Sequence, residues 1–204
     1  MNKLLPLLLL AATCVAYAVP QSGRKVSTTR ATPAAPIQPP MTPQPEIEAP
    51  KSEAPPLTFL SEDLLERKIR PVQGNTFRLG DFHGKVLVIN LWASWCGPCR
   101  REIPEYDKVR KDYAGRNVEF IGLTTEDPSE ASEAVSNFIR QTQFGFRLGW
   151  SDREMTRRLM NGRSSIPQTF VIDTAGGIVN HWVGYAPRQS AERLRDAIKK
   201  ALPE

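Results

Sequence analysis

The sequence predicts an α/β fold in which helices flank a central mixed sheet. Continuous apolar runs typical of buried strands alternate with segments of helical periodicity, and two later strands flank a hairpin turn. Strands separated by helices pair in parallel, whereas a hairpin adds an antiparallel edge. The chain of 204 residues is long enough for one domain of ordinary size with extensions, and too short for a large multidomain protein.

Composition narrows the classes of function. The chain carries 27 Lys and Arg against 22 Asp and Glu, a net charge of +5, without a long basic run. A solvated basic surface explains this charge better than nucleic-acid binding, so we expect no nucleic-acid partner. An apolar share of 40% supports a core and excludes wholesale disorder, and 3 Cys are too few for a disulfide-dense mini-protein.

The first 18 residues have the pattern of an export signal. Lys3 precedes an apolar run over residues 4–19, which as a helix spans about 24 Å and falls short of a bilayer core. Ala16 and Ala18 are the small residues that a signal peptidase accepts, which predicts cleavage after Ala18. Two alternatives stay open: an uncleaved short membrane anchor and lipid attachment at Cys14. All three place the folded part in a periplasm or another extracytoplasmic compartment.

Residues 19–56 have the composition of a linker. This stretch holds 10 of the 18 prolines and no aromatic residue. Such a segment cannot bury enough apolar surface to offset its ordering entropy, so it is predicted to be disordered and locally extended. The folded domain is therefore predicted over residues 57–204.

The first half of this domain alternates strands and helices. A buried strand is predicted over residues 86–91, followed by a helix over residues 97–115, where apolar residues recur at helical spacing. Residues 118–124 are predicted to form a second buried strand. Asp127 and Pro128 then match an N-cap and a first helical position, which predicts the start of the next helix.

The second half contains a hairpin and a final helix. We predict a strand around residues 146–150, a short helix over 151–160, and two strands, 169–173 and 178–183, on either side of a Thr-Ala-Gly-Gly turn. Apolar residues at helical spacing from Leu194 to Ala201 mark the last helix. Residues 58–85 are predicted to form a short helix and a strand or hairpin.

Two cysteines, Cys96 and Cys99, lie at the junction between the first buried strand and its helix. At a helix N-cap, free backbone N–H groups and the positive end of the helix dipole favour a thiolate, so Cys96 is predicted to be the exposed attacking thiol. Cys99 lies one turn further along and is predicted to be the resolving thiol. The pair predicts thiol–disulfide redox chemistry that needs no further cofactor.

Three structural alternatives compete with redox chemistry. A structural disulfide across so short a loop would remove only about 2 kcal/mol of unfolded-chain entropy. A zinc site needs four ligands, and outside the signal only His83 and His181 could join the cysteines, neither at a metal-ligand spacing. We therefore expect no metal, and interpret His181 as an ordinary surface or packed residue. The third alternative is two unrelated buried thiols, but a C-x-x-C between a strand and a helix is more specific for redox chemistry.

The segment Trp92–Pro104 resembles the active-site stretch of the thioredoxin superfamily. More narrowly, it is similar to extracytoplasmic thiol–disulfide oxidoreductases of the TlpA, ResA and DsbE type, as are Phe77–Lys85 and Ser165–Asp173. The resemblance covers residues 57–202. It implies a thioredoxin-like fold with an N-terminal hairpin extension and a central insertion, which we place within residues 128–146.

The resemblance also implies substrate-binding residues. Pro167 is expected to be a cis-proline that faces the dithiol, with the backbone of Ile166 pairing with an extended substrate; an ordinary turn at the start of a strand is the alternative. Trp95, Gly97 and Pro98 are expected to contact the substrate around the cysteines.

The proton that Cys99 must lose needs an acceptor. Where thioredoxin proper carries a buried acid in the strand before the dithiol, this chain has Asn90, and an amide cannot accept that proton. Glu102, three residues past Cys99, could lie on the same helical face and accept it. It could equally stabilise the helix dipole as a first-turn carboxylate, and we favour this second interpretation.

The predicted function is a periplasmic reductant of protein disulfides. Gly97 and Pro98 separate the cysteines and no His is present to stabilise the thiolate, so the dithiol is expected to be reducing. The expected partners are disulfide-bearing client proteins, apocytochrome c being one candidate, and a membrane electron donor of the DsbD or CcdA kind. Membrane attachment is expected if residues 1–18 are retained. Two alternatives stay open: a thiol peroxidase, and a non-catalytic binding or chaperone module on a thioredoxin scaffold.

Overall fold

The structure is a computed structural model that describes residues 57–203. The predicted signal or anchor over residues 1–18 and the predicted linker over residues 19–56 lie outside the described residues. Among the helices of residues 57–203, none combines the length and apolar character needed to span a membrane.

Helices and strands alternate along the described chain as the sequence predicts. In chain order the elements are α1 (Glu62–Glu66), β1 (Arg70–Pro71), a 3-10 helix (Leu79–Phe82), β2 (Val86–Trp92), α2 (Gly97–Asp112), β3 (Val118–Thr124), α3 (Pro128–Thr142), β4 (Arg147–Trp150), α4 (Arg153–Met160), β5 (Gln168–Ile172), β6 (Ile178–Val183) and α5 (Ser190–Ala201).

The six strands form one mixed sheet in the order β1-β4-β3-β2-β5-β6. β2, β3 and β4 are parallel neighbours, as expected for strands joined through helices. β5 and β6 add antiparallel strands at one edge, and β1 pairs antiparallel with β4 at the other. The prediction of an α/β fold with a central mixed sheet and an antiparallel edge is confirmed.

β2 is buried along its whole length and separates two apolar clusters. Val86 and Val88 contribute to the cluster that also contains residues of α2, α3 and α5. Leu87 and Ile89 contribute to the cluster on the opposite face, with residues of α1 and α4. Because side chains alternate along a strand, Asn90 lies on the same face of the sheet as Val86 and Val88, the face that packs against α2. Its side-chain amide is buried there within an otherwise apolar strand.

The segment before β2 is short on regular structure. Ile69 and Phe77 form an isolated antiparallel bridge, so the predicted N-terminal hairpin consists of one residue pair closed by two backbone hydrogen bonds. Phe77 packs against Phe82 of the 3-10 helix with ring centroids 6.1 Å apart. Helix α3 occupies the segment in which we placed the central insertion.

α2 is the helix that carries the cysteines; it begins where the sequence predicts, at Gly97, and ends at Asp112, three residues before the predicted end at residue 115. Cys96 is the N-cap and Pro98 lies in the first turn, where its missing N–H costs no hydrogen bond. Pro104 lies inside the helix and removes one backbone hydrogen bond there. The apolar face of α2 is buried against the sheet, so the first turn of the helix is fixed at the carboxyl end of β2.

Candidate active site

Cys96 and Cys99 are joined in a disulfide, with an S–S distance of 2.00 Å and 5.3 Å between their Cα atoms. The backbone N–H of Cys99 donates a hydrogen bond of 3.1 Å to the Sγ of Cys96. This is the N-cap contact that the sequence predicts, with sulfur in the place of the usual side-chain oxygen. A hydrogen-bond donor aimed at Sγ stabilises negative charge on that atom once the disulfide is opened.

The two cysteines differ in accessibility, although less than we expected. Cys96 is 3% exposed and Cys99 is fully buried, so the expectation of an openly exposed Cys96 is wrong for the disulfide form. The physical reason is that Cys96 folds back over the first turn of α2, where its Sγ caps the helix and bonds to Cys99. Cys96 is still the one cysteine of the pair with any accessible surface, which agrees with attack from outside at that residue.

The residues around Cys96 form an exposed rim, which we define as Trp95, Gly97 and Pro98. Trp95 is 71% exposed, although a large indole ordinarily packs into an apolar environment. A Cβ added at Gly97 would meet no atom within 4 Å, so the space beside the disulfide is open. The rim therefore offers an apolar, uncovered surface next to the one accessible cysteine.

Three residues after Cys99, α2 carries Glu102, which forms a buried polar pair with Asn90 of β2. The Nδ2 of Asn90 donates hydrogen bonds of 2.9 Å to the Oε2 of Glu102 and 3.0 Å to the Oγ1 of Thr169. All three side chains are fully buried. Glu102 is therefore not an exposed carboxylate in the first helical turn, and our favoured interpretation of it as a dipole-stabilising residue is wrong, because the turn of α2 that carries it faces the sheet.

Burial changes the acidity of Glu102. Loss of solvation raises the pKa of Glu102 to about 7, since water no longer stabilises the charged carboxylate. Hydrogen bonds from Asn90 and Tyr106 oppose this shift but are weaker. A carboxyl group of this kind gains and loses a proton near neutral pH, which is the property needed to accept a proton from a thiol.

The polar pair continues into a short buried chain. Tyr106, one turn after Glu102, accepts a hydrogen bond of 3.1 Å from the Nε1 of Trp182. Within residues 57–203, the Oδ1 of Asn90 and the Oε1 of Glu102 have no hydrogen-bond partner although both are buried. A free acceptor on Glu102 is available to a proton, and the chain of polar groups fixes the carboxyl group in position.

Ile166 and Pro167 are joined by a cis peptide bond, as the resemblance implies. The backbone O of Pro167 accepts a hydrogen bond of 2.7 Å from the N–H of Gly184, which ties this loop to the end of β6. Ile166 packs against the apolar cluster that contains both cysteines. Among the backbone–backbone hydrogen bonds of residues 57–203 outside helices and strands, none involves the N–H or C=O of Ile166, which leaves this backbone unpaired with another segment of the chain.

The histidines do not join the cysteines. His181 stacks on Phe170 with ring centroids 4.0 Å apart, and its Nε2 lies 3.0 Å from the Oε1 of Gln168. Burial, together with the charge of Arg163, lowers the pKa of His181 to about 4. His181 is a packed residue, as interpreted from the sequence, and residues 57–203 contain no cluster of three or more His, Cys, Asp or Glu side chains placed to hold a metal ion.

Sequence reasoning missed a contact beside the cysteines, between Ser94 and Glu126. The carboxylate of Glu126 accepts a hydrogen bond of 2.6 Å from the backbone N–H of Ser94 and one of 2.7 Å from its Oγ. The two residues are 32 positions apart, so no local pattern relates them. Their placement follows from the parallel pairing of β2 with β3, in which Trp92 lies opposite Thr124.

Comparison with protein families agrees with this site. Residues 49–181 match the AhpC/TSA family. Among curated relatives, the thiol-disulfide oxidoreductase ResA of Bacillus thuringiensis subsp. konkukian is 30% identical over 135 residues, which cover 66% of this chain and 74% of that protein. The thioredoxin-like protein YneN of Bacillus subtilis is 27% identical over 129 residues, covering 63% and 74% of the two chains.

Solved structures show the same fold. A thiol:disulfide interchange protein of the thioredoxin family from Chlorobium tepidum TLS superposes with a TM-score of 0.58 at 28% sequence identity. The superposition covers 67% of this chain and 93% of that one. The ResA relative and the Chlorobium tepidum protein are both named for thiol–disulfide chemistry, which the bonded Cys96 and Cys99 can perform.

Proposed function

Because the chain belongs to the AhpC/TSA family and is a thiol–disulfide oxidoreductase of the ResA type, we propose that it reduces disulfides of client proteins outside the cytoplasm. The observation that carries this proposal is the Cys96–Cys99 disulfide at the N-cap of α2, with an ionisable Glu102 buried behind it. The exposed rim and the free backbone of Ile166 provide the surface on which a client segment would lie.

The first step forms a mixed disulfide. In the reduced enzyme the Cys96 thiolate, stabilised by the N–H of Cys99, attacks one sulfur of a client disulfide. The client S–S bond breaks as the bond to Cys96 forms, and the second client sulfur leaves as a thiolate that takes a proton from water. Cys96 is suited to this step because it is the accessible member of the pair.

The second step releases the client. The Cys99 thiol gives its proton to the carboxylate of Glu102 and attacks the Sγ of Cys96, which breaks the mixed disulfide. The second client thiolate leaves and the enzyme disulfide forms, so the client gains two electrons and the dithiol loses two. Asn90 holds Glu102 through the hydrogen bond of 2.9 Å. The amide of Asn90 cannot accept the proton of Cys99 itself, but it orients the carboxyl group that does.

The direction of electron flow is inferred from the two residues that separate the cysteines. Strong oxidants of this superfamily owe their potential to a stabilised thiolate, and here Gly97 and Pro98 supply no charge between the cysteines. The dithiol is therefore a reductant. Its regeneration requires an outside dithiol, and a membrane electron donor of the DsbD or CcdA kind would supply the two electrons.

Location and client complete the proposal. The apolar stretch over residues 4–19 supports export to the periplasm or its equivalent, with membrane attachment if residues 1–18 are retained. A reductant in that oxidising compartment serves clients that must keep thiols free, and apocytochrome c, whose thiols attach haem, is one such client.

Three cysteine variants test the proposal. Cys96→Ser and Cys99→Ser should each abolish turnover in an insulin-reduction assay, and Cys99→Ser should accumulate covalent mixed disulfides with client proteins, visible on non-reducing gels. Cys14→Ser is the matched control and should keep parental turnover. The reduction potential of the parent should lie closer to that of thioredoxin, about −270 mV, than to about −120 mV, the value of the strong periplasmic oxidants.

The same variants separate the alternatives. A non-catalytic binding module would bind its partners equally well without either cysteine. A thiol peroxidase would consume hydrogen peroxide in the Cys99→Ser variant, because peroxide attack needs only one thiolate. Peroxide consumption without insulin reduction would contradict the proposed function.

A further inference from the structure

The loop that delivers Cys96 to the helix is held from outside the helix. Residues 93–96 connect β2 to α2, and the backbone O of Trp92 accepts a hydrogen bond of 3.0 Å from the N–H of Thr125. Within the loop, the N–H of Cys96 donates to the O of Ala93 at 3.1 Å. Ser94 lies between these two anchors, and it is bound by the side chain of Glu126 from the loop that follows β3.

Glu126 binds Ser94 with both of its carboxylate oxygens. Oε2 accepts from the backbone N–H of Ser94 at 2.6 Å, and Oε1 accepts from its Oγ at 2.7 Å. The Oγ1 of Thr124 donates a third hydrogen bond, of 3.0 Å, to Oε2. In the described part of the chain no Lys, Arg or His forms an ion pair with Glu126, so these three donors are what holds its carboxylate.

The sheet places this contact beside the dithiol. Trp92 and Thr124 are register partners at the carboxyl ends of β2 and β3, and Ser94 and Glu126 each follow two residues later. The clamp, as we call the paired hydrogen bonds between Glu126 and Ser94, therefore fixes the chain two residues before Cys96. α2 fixes it on the other side, because the N–H of Cys99 donates to the Sγ of Cys96.

We infer that Glu126 is a positioning residue for the attacking thiol: through Ser94 it holds Cys96 at the N-cap of α2 when the disulfide is open. This inference rests on the proposed function, in which Cys96 is the attacking thiol. Opening the disulfide removes the link between the sulfur atoms of Cys96 and Cys99, whereas the peptide bond to Gly97 and the clamp remain. The thiolate keeps its N-cap hydrogen bond only if the loop stays in place.

A direct charge effect of Glu126 would act in the opposite sense. A negative charge close to Cys96 destabilises its thiolate, so removing that charge would lower the pKa of Cys96. Loss of positioning weakens the N-cap contact and raises the pKa of Cys96. Ser94→Ala removes one bond of the clamp and leaves the charge in place, so it separates the two effects.

The experiment compares Glu126→Ala, Glu126→Gln and Ser94→Ala in the full chain. Each reduced protein is titrated by the pH dependence of its reaction with iodoacetamide, and its rate of insulin reduction is measured. Glu126→Ala should raise the pKa of Cys96 and slow the reduction about tenfold, and Ser94→Ala should act in the same direction by about threefold, as expected for the loss of charge-assisted hydrogen bonds. Glu126→Gln, whose amide can still accept from the N–H of Ser94 and donate to its Oγ, should lie close to the parent.

Glu130→Gln is the matched control, because Glu130 is an exposed carboxylate in the first turn of α3 with no hydrogen bond to the loop. It should leave both measurements at the parental value. The inference is overturned if Glu126→Ala lowers the pKa of Cys96, or if Ser94→Ala and Glu126→Ala change only the free energy of unfolding. Failure of the proposed function shows instead in the parent, which would not reduce insulin; the titration of Cys96 does not depend on any client.

Discussion

The two sides of the Cys96–Cys99 disulfide are built on opposite principles. On the outer side, the rim of Trp95, Gly97 and Pro98 is exposed, and a Cβ added at Gly97 would meet open space. On the inner side, Glu102 and its partner Asn90 are fully buried and joined by a hydrogen bond of 2.9 Å. In the proposed mechanism the outer side accepts differently shaped clients, whereas the inner side takes up one proton in a fixed geometry.

This difference indicates where substitutions should change which property. Changes on the inner side should alter the pH dependence of the reaction and the stability of the fold, because burial controls the ionisation of Glu102. Changes on the rim should alter the affinity for a client and little else.

Replacing Glu102 with Gln should slow the resolution of the mixed disulfide on the order of a hundredfold at neutral pH, because the proton of Cys99 loses its acceptor. In the parent, the rate of resolution should rise with pH through about 7, the pKa of Glu102, since only the ionised carboxyl group accepts a proton. In the variant this rise should move to the ionisation of the Cys99 thiol itself. Stopped-flow release of a client thiol from a preformed mixed disulfide measures the step.

Glu105→Gln is the control for that measurement. Glu105 lies on the same helix and accepts a hydrogen bond of 2.6 Å from the hydroxyl of Tyr185, away from Asn90. Its charge is the smallest of the influences on the pKa of Glu102, which it raises, so Glu105→Gln should keep the shape of the pH profile and move it only slightly to lower pH. If the pH profile of Glu102→Gln were the same as that of the parent, Glu102 would not be the proton acceptor, and its role would be structural only.

The ionisation of Glu102 should also change the free energy of unfolding of the oxidised protein with pH. The pKa of Glu102 is about 7 in the fold against an ordinary 4.5, so the folded state binds this proton more tightly than the unfolded chain. Its contribution to stability is complete below pH 4.5 and is lost as the pH rises to about 7. The free energy of unfolding of the parent, minus that of Glu102→Gln, should therefore fall by up to about 3 kcal/mol across this range.

Urea unfolding of both proteins at pH 4 and at pH 8 measures this difference. Taking the difference between parent and variant cancels the contribution of His181, whose depressed pKa acts on the parent and the variant alike. A difference that stays flat between the two pH values would show that Glu102 ionises as it does in the unfolded chain.

The fold and the outer side of the disulfide could be predicted from the sequence, because the patterns that indicate them are local. The continuous apolar run of β2, the N-cap position of Cys96 and the Asp127-Pro128 start of α3 all depend on neighbours within a few residues. The cis bond before Pro167 came from the resemblance, not from these patterns.

The inner side was harder to predict because its properties depend on packing. Asn90 and Glu102 were both noticed, yet a carboxylate near the start of a helix can face either solvent or the sheet, and the direction depends on how α2 docks. The clamp between Ser94 and Glu126 required the parallel register of two strands separated by a helix. Neither fact is contained in residue spacing alone.

The smallest expected effect on stability is that of a substitution on the rim. It tests most directly whether the rim and the buried side of the disulfide have separate roles. Trp95→Ala removes an indole that is 71% exposed, so little buried surface is lost and the free energy of unfolding should change by no more than about 0.5 kcal/mol. The variant should still raise the KM for a protein disulfide several-fold while kcat stays near the parental value, because the rim contacts the client and not the sulfur atoms in reaction. Steady-state reduction of insulin, run beside a small disulfide such as oxidised glutathione, measures both. A loss of stability comparable to that of a core aromatic would show that the rim is part of the packed structure, and the contrast between the two sides of the disulfide would no longer hold.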